Sequence, residues 1–326
     1  MAKITVLGAG GWGLAIALTL HFNGHKVAVW SPFKEEVETL LKTRANEKLL
    51  SGVIVPQDIV ITDDITDSSN SAVTVIATPS FAVRQTASRL KEVGNLGIVV
   101  NVAKGFEPDT NVRLSQAIKQ ELPDAKVAVL SGPSHAEEVA RRIPTMLTVS
   151  GDDIHSLRTV QELFSNDFLR VYTNPDIIGV ELGGALKNII AVAAGVLDGM
   201  GLGDNSKAAL ITRGLAEMTR LGVVLGAKAQ TFAGLAGMGD LIVTCTSPHS
   251  RNHRFGELIG KGMPTDDAIK AVGTVEGYYA CKIANNIAKS VQVEVPIIDL
   301  CYQLLYEGYP VSDAVKTLMT RPFKEE

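Results

Sequence analysis

Three stretches of this chain pair chemically capable side chains with an unusual backbone. The first is Gly8-Ala9-Gly10-Gly11-Trp12-Gly13, where Gly8, Gly10 and Gly13 fill a G-x-G-x-x-G spacing. Such glycines allow a tight turn, admit a pyrophosphate close to the backbone and let a helix pack against the preceding strand. The N–H groups that open the helix then face the anion. The second stretch is Glu181-Leu182-Gly183-Gly184-Ala185-Leu186-Lys187-Asn188, followed by the apolar run Ile189–Ala193. Adjacent glycines cost a helix about 1 kcal/mol each relative to alanine, so a flat ligand or another backbone is expected to approach there. Lys187 is either partly desolvated, and so suited to acid–base work, or a snorkelling lysine with its head in water. The third stretch is Gly234-Leu235-Ala236-Gly237-Met238-Gly239-Asp240, read as a glycine-rich loop ending in a carboxylate, with Thr244–Asn252 beyond it. Ser250 can cap a helix that Arg251 begins, and cap hydroxyl, helix N-terminus and guanidinium together suit a phosphate. An ordinary capped helix with a surface arginine is the alternative. His249 and His253 are four apart, but no third ligand stands near them, and no metal is expected.

Further candidates follow short apolar runs. Lys104 lies in Asn101-Val102-Ala103-Lys104-Gly105, and Ser131-Gly132-Pro133-Ser134 follows Val127–Leu130. Ligands of doubly wound sheets sit beyond the carboxyl ends of strands, which suits both segments, although the second also reads as a structural turn. Trp30-Ser31-Pro32-Phe33-Lys34 closes the second strand without a carboxylate at its tip; Glu35 and Glu36 are assigned to the next helix. Ser31 and Lys34 could hold a ribose 2′-phosphate, which favours NADPH, and Lys34 as a solvated helix-start lysine is the competing reading.

These residues need elements to hold them. Strands are expected at 4–7, 27–30, 73–77, 98–102, 127–130 and 146–149, with helices at 14–22, 34–41, 83–92 and 112–120 between them. Strand–helix alternation with apolar strands implies a parallel, doubly wound α/β sheet. From Asp176 the period becomes helical, with helices expected at 176–197, 205–221, 251–259, 276–288, 296–306 and 311–319. The expected organisation is a Rossmann-type domain over 1–176 and an all-helical substrate and catalytic domain over 177–326.

Composition narrows the function. The 326 residues exceed a single typical core, and 46% hydrophobic against 20% charged residues is globular rather than disordered. A net charge of −4 with no basic block argues against nucleic acid. Three scattered cysteines support neither a disulfide framework nor a Cys-rich zinc site. No secretory signal or membrane span is expected, which places the chain in a reducing cytoplasm.

The motifs together resemble the bacterial NAD(P)-dependent glycerol-3-phosphate dehydrogenase family. LGGALKNIIA (182–191), NSKAALITRGLAEM (205–218) and GLAGMGDLIVTCTSPHSRNHRFG (234–256) carry the resemblance, with SGPSHAEE (131–138) and VEGYYA (275–280) in support. It implies interconversion of sn-glycerol 3-phosphate and dihydroxyacetone phosphate with NADPH or NADH, feeding phospholipid synthesis. It implies Lys187 as catalytic proton acceptor in oxidation, with Lys104, Gly132, Ser134, Lys187, Asp240, Ser250, Arg251 and Asn252 lining the substrate site. On the cofactor side it implies Trp12, Lys104, Ala136, Arg251 and Glu276, which join Gly8, Gly10, Gly11 and Gly13 of the turn and Pro32 and Lys34 of the strand tip as the expected cofactor contacts. Gly11 replaces a serine common in relatives, and Pro32 an arginine or histidine near the adenosine ribose, which weakens the inference of NADPH. The expected partner is a small phosphorylated molecule, and a homodimer is left open. Rival readings are a dehydrogenase of another hydroxy acid, against which Ser250–Asn252 argues, and a nucleotide sensor, against which Lys187 and Asp240 argue.

Overall fold

The computed structural model describes residues 1–323 and 325. It divides into two compact units, Met1–Glu181 and Leu182–Glu326.

Unit 1 is a strand–helix alternation: β1 (Lys3–Leu7), α1 (Gly11–Phe22), β2 (Lys26–Trp30), α2 (Lys34–Thr43), β3 (Val60–Thr62), β4 (Val73–Ile76), α3 (Val83–Arg89), β5 (Ile98–Asn101), α4 (Leu114–Glu121), β6 (Lys126–Ser131), α5 (Ala136–Ala140), β7 (Thr145–Gly151), α6 (Ile154–Phe164) and β8 (Leu169–Asn174). The strands form one eight-stranded sheet in the order β3-β2-β1-β4-β5-β6-β7-β8. Every residue of β4 and β5 is buried, as strands covered on both faces must be. The chain reverses direction across the sheet between β1 and β4, so Gly8 and Ala77, which follow those strands, lie at the switch point.

The expectation of a parallel sheet needs one correction: β6 and β7 pair antiparallel. The connection between them holds a single helix, α5, of five residues. At 1.5 Å per residue this helix covers only about 8 Å, too short to return along a strand of about 20 Å, so β7 starts at the edge where β6 ends. Strands β3 and β8 and helices α5 and α6 also went unexpected. Only Leu169 and Val171 of β8 are buried while Arg170, Tyr172 and Thr173 are exposed, so it lacks the continuous apolar run of its neighbours.

Unit 2 is helical. The long helix α7 (Ile177–Gly199) contains the division between the units and is followed by α8 (Asp204–Val224), α9 (Ala229–Phe232), α10 (Asp240–Thr246), α11 (Arg251–Gly260), α12 (Thr265–Val272), α13 (Glu276–Ser290), α14 (Pro296–Tyr306) and α15 (Val311–Met319). Helix α7 is long and apolar enough to cross a membrane by composition, yet 83% of that window is buried inside the protein, which marks it as a core helix. Helix α11 crosses it almost backbone to backbone: a Cβ on Gly256 would stand 2.0 Å from the Val192 carbonyl oxygen. Segment 234–240, expected as a loop, is instead a π-helical turn, Leu235–Gly239, running directly into α10. Gly237 serves packing, since a Cβ there would lie 2.2 Å from the Phe232 carbonyl oxygen.

Candidate active site

In unit 1 the phosphate turn has the three expected glycine environments. Gly8 adopts φ +124°, and a Cβ there would meet the Ala77 carbonyl oxygen at 2.7 Å. A Cβ on Gly13 would stand 2.0 Å from the Gly8 carbonyl oxygen, so the start of α1 rests directly on the strand exit. Gly10 differs: nothing lies within 4 Å of its Cβ position. The space there is open to a ligand, beside the N-terminus of a twelve-residue helix. Trp12 adds a second sign, because its buried Nε1–H has no hydrogen-bond partner. A buried donor left unmade costs about 1–3 kcal/mol, which a bound acceptor relieves. The cradle therefore fits a dinucleotide. Gly11 has a steric reason: a Cβ would meet the Leu49 carbonyl oxygen at 2.4 Å, while Asn46 Nδ2 ties the same segment to the Ala9 carbonyl at 3.2 Å.

Lys104, Gly132 and Ser134 come together beyond β5 and β6. Lys104 Nζ donates to the Gly132 carbonyl at 2.9 Å and to Ser134 Oγ at 3.5 Å. Ser131, at the tip of β6, holds a buried hydroxyl with no partner; the sequence reading quoted it only as part of a turn. Ala136 begins α5, its Cβ 3.6 Å from the Cβ position of Gly11.

At the tip of β2 the structure corrects the reading of residues 31–36. Glu36 does lie in α2, but its carboxylate folds back to accept the Ser31 hydroxyl proton, so an acid does stand at the strand tip. Pro32 and Lys34 are exposed. A cavity of about 580 Å³ lies elsewhere in unit 1, at the far end of α1, lined in part by Leu18, Phe22, Ile54 and Phe168. It shares no residue with the phosphate turn.

In unit 2 the central feature is a buried polar trio. Lys187 Nζ donates to Asp240 Oδ1 at 2.5 Å and to Thr244 Oγ1 at 2.6 Å. Thr244 Oγ1 in turn donates to the Asp240 carbonyl at 2.6 Å. The side chains of Lys187 and Asp240 are only 6% and 1% exposed. Lys187 is thus desolvated rather than snorkelling, and its charge is paired. Gly183 allows this, since a Cβ there would lie 2.5 Å from the Ala236 carbonyl oxygen. Of the two causes expected for that glycine, another backbone is the one observed. Sequence reasoning did not assign Thr244; its spacing of four from Asp240 on a helix was the available signal. Cys245, beside it, is buried, which pushes its thiol up to about 12 and keeps it protonated at neutral pH.

Ser250 caps the ten-residue α11, its Oγ accepting from the His253 N–H at 3.2 Å, and Arg251 stands exposed at the first turn. Asn252, expected on the substrate, has its amide committed within the protein. Its Nδ2 donates to Asn188 Oδ1 at 2.9 Å and its Oδ1 accepts from the Gly277 N–H at 2.8 Å. It therefore ties the residue after Lys187 to the start of α13, where Glu276 lies half-buried. His253 Nε2 sits 2.7 Å from Asp198 Oδ2, which also pairs with Lys207 at 2.7 Å, whereas His249 is exposed. The two histidines thus take different environments, and no metal-binding group of three or more ligands occurs among the described residues.

Comparison with known proteins decides the family. Residues 3–156 match the NAD-dependent glycerol-3-phosphate dehydrogenase N-terminus and residues 176–316 its C-terminus. The chain belongs to this family. It is 50% identical over 327 residues to glycerol-3-phosphate dehydrogenase [NAD(P)+] of Bacillus pumilus, covering 98% of this chain and 95% of that one. It is 51% identical over 327 residues to the enzyme so named from Thermoanaerobacter, covering 99% and 98%. Among solved structures it resembles glycerol-3-phosphate dehydrogenase from Coxiella burnetii, with TM-score 0.95, 36% identity and coverage of 98% and 99%. Family membership and the Gly8–Gly13 cradle agree on a nicotinamide dinucleotide.

Proposed function

We propose that this family member interconverts sn-glycerol 3-phosphate and dihydroxyacetone phosphate, with unit 1 binding NADH or NADPH and unit 2 binding the phosphorylated substrate and moving its proton. The observation that carries the chemistry is the buried Lys187–Asp240–Thr244 trio. A dihydronicotinamide, when bound, supplies the hydride to the carbonyl carbon. Lys187 meets the charge that develops on the ketone oxygen and donates a proton to it; in oxidation it accepts that proton back. Asp240 and Thr244 hold the ammonium in one orientation, so no reorganisation is required at the moment of reaction. The Ser250-capped N-terminus of α11 and Arg251 bind the substrate phosphate. In unit 1, Gly8–Gly13 and Trp12 hold the pyrophosphate side of the dinucleotide, and Lys104 with Gly132 and Ser134 supplies polar groups beyond the strand ends. Asn252 acts by positioning Lys187's helix against α13. The product supplies phospholipid synthesis in the cytoplasm.

The test is initial rates of dihydroxyacetone phosphate reduction with each dinucleotide, beside dihydroxyacetone and a panel of 2-keto acids. Turnover of the phosphorylated ketone, with poor turnover of the others, is expected. Faster reduction of a keto acid than of dihydroxyacetone phosphate overturns the proposal.

A further inference from the structure

The tip of β2 carries a group whose chemistry discriminates between two dinucleotides. Ser31 is 1% exposed and held by its backbone, the N–H donating to the Thr62 carbonyl at 3.1 Å. Its hydroxyl donates to the Glu36 carboxylate, and the hydroxyl oxygen accepts from the Phe33 N–H at 3.3 Å. Glu36 is itself anchored in the first turn of α2, its N–H bonded to the Phe33 carbonyl at 3.1 Å. The half-buried carboxylate is thus fixed over the strand end by a serine that cannot move away.

We propose that Glu36, held by Ser31, makes this protein select NADH over NADPH. The inference rests on the reading of unit 1 as a dinucleotide domain. In a βαβ unit of this kind the adenosine ribose reaches the end of the second strand. A carboxylate there accepts a hydrogen bond from the ribose 2′-hydroxyl. A 2′-phosphate instead brings close to two negative charges beside a third, in a site partly shielded from water, where repulsion is stronger than in bulk. A compensating cation would have to come from nearby. Pro32 offers neither a side-chain donor nor an N–H. Lys34 is exposed at the start of α2, where its ammonium is hydrated and screened. The Arg44 guanidinium donates to the Pro56 and Ile59 carbonyls at 3.4 and 2.9 Å, and that of Arg89 lies over the Trp30 ring at 5.7 Å. The acid therefore sets the sign of the site.

The test is direct binding. The two tryptophans, Trp12 in the phosphate turn and Trp30 at the end of β2, report dinucleotide binding by fluorescence without turnover. NADH and NADPH are titrated separately into the wild type and the variants Glu36→Gln, Pro32→Arg and Lys34→Ala. The wild type is expected to bind NADH at least about tenfold more tightly, equivalent to about 1.4 kcal/mol. Glu36→Gln should cut that ratio at least about fivefold, mainly by tightening NADPH, and Pro32→Arg should move it the same way. Lys34→Ala should leave it within about twofold. Equal or tighter binding of NADPH by the wild type, or an unchanged ratio in Glu36→Gln, overturns the role of Glu36. Failure to bind either dinucleotide overturns the reading of unit 1 as well.

Discussion

Replacing Lys187 with methionine separates two contributions that the buried trio joins. By length and shape alone, methionine replaces lysine with little loss of packing. The structure predicts otherwise, because the substitution removes the cation from Asp240, whose side chain is 1% exposed. Breaking a buried pair by deleting one partner costs about 3–5 kcal/mol, chiefly through the charge left behind. Thr244 Oγ1 already donates to the Asp240 main chain and lies 3.4 Å from its Oδ1, so it relieves only part of that cost. We therefore expect Lys187→Met to lower unfolding stability by about 3 kcal/mol. Adding Asp240→Asn removes the stranded charge and should recover at least about half of the loss. Activity should not recover: both variants should turn over dihydroxyacetone phosphate at least about 10³-fold more slowly, since proton transfer and alkoxide stabilisation both depend on the ammonium. Denaturant melts report the first quantity and steady-state kinetics on folded protein the second. A Lys187→Met protein within about 1 kcal/mol of the parent would refute the ion-pair argument. A double variant with kcat within tenfold of the parent would remove Lys187 from the chemistry, leaving Lys104 as the next candidate.

Three further predictions use other parts of the structure. Arg251→Ala should weaken binding of dihydroxyacetone phosphate by about 2–4 kcal/mol, while reduction of dihydroxyacetone falls much less; equal proportional losses in kcat/KM would show that Arg251 does not hold the phosphate. Gly10→Ala should leave the melting temperature nearly unchanged and weaken dinucleotide binding, because its Cβ position is empty, whereas Gly13→Ala should destabilise the fold itself, because its Cβ would lie 2.0 Å from the Gly8 carbonyl oxygen. Similar melting behaviour of the two variants would contradict this. Finally, Glu217 accepts from the Ile297 and Ile298 N–H groups at the start of α14, and burial raises its carboxyl from an ordinary 4.5 to about 7. The folded state then binds a proton more tightly than the unfolded one, so its contribution is full below about pH 4.5 and declines as pH rises to about 7, by about 3 kcal/mol in all. Chemical denaturation at pH 5 and pH 8 should show this loss in the wild type and little of it in Glu217→Gln; parallel pH profiles would refute it.

Local spacing was enough to expect the glycine turn after the first strand and most of the elements around it. Gly8, Gly10 and Gly13 fall within six residues of one strand–turn–helix, so their roles follow from backbone sterics that act within a few residues. The change from apolar strands to helical period near Asp176, and helices such as α14 and α15, were legible for the same reason: periodicity is a local property of one buried face. What the sequence could not reveal depends on groups far apart in the chain. Whether Lys187 is solvated or buried was open until Asp240, 53 residues away, stood beside it. Gly11 is explained by the carbonyl of Leu49, Gly183 by that of Ala236, and the amide of Asn252 by Asn188 and Gly277. The antiparallel β7 and the half-exposed edge strand β8 depend on neighbours rather than on their own composition. Even Glu36, only five residues from Ser31, was read correctly as part of a helix but not as an acid at the strand tip, because assigning it to a helix does not say which way its carboxylate turns. Helix and strand preferences are set by short-range sterics and burial, whereas hydrogen bonds, ion pairs and close backbone contacts are decided when distant segments meet.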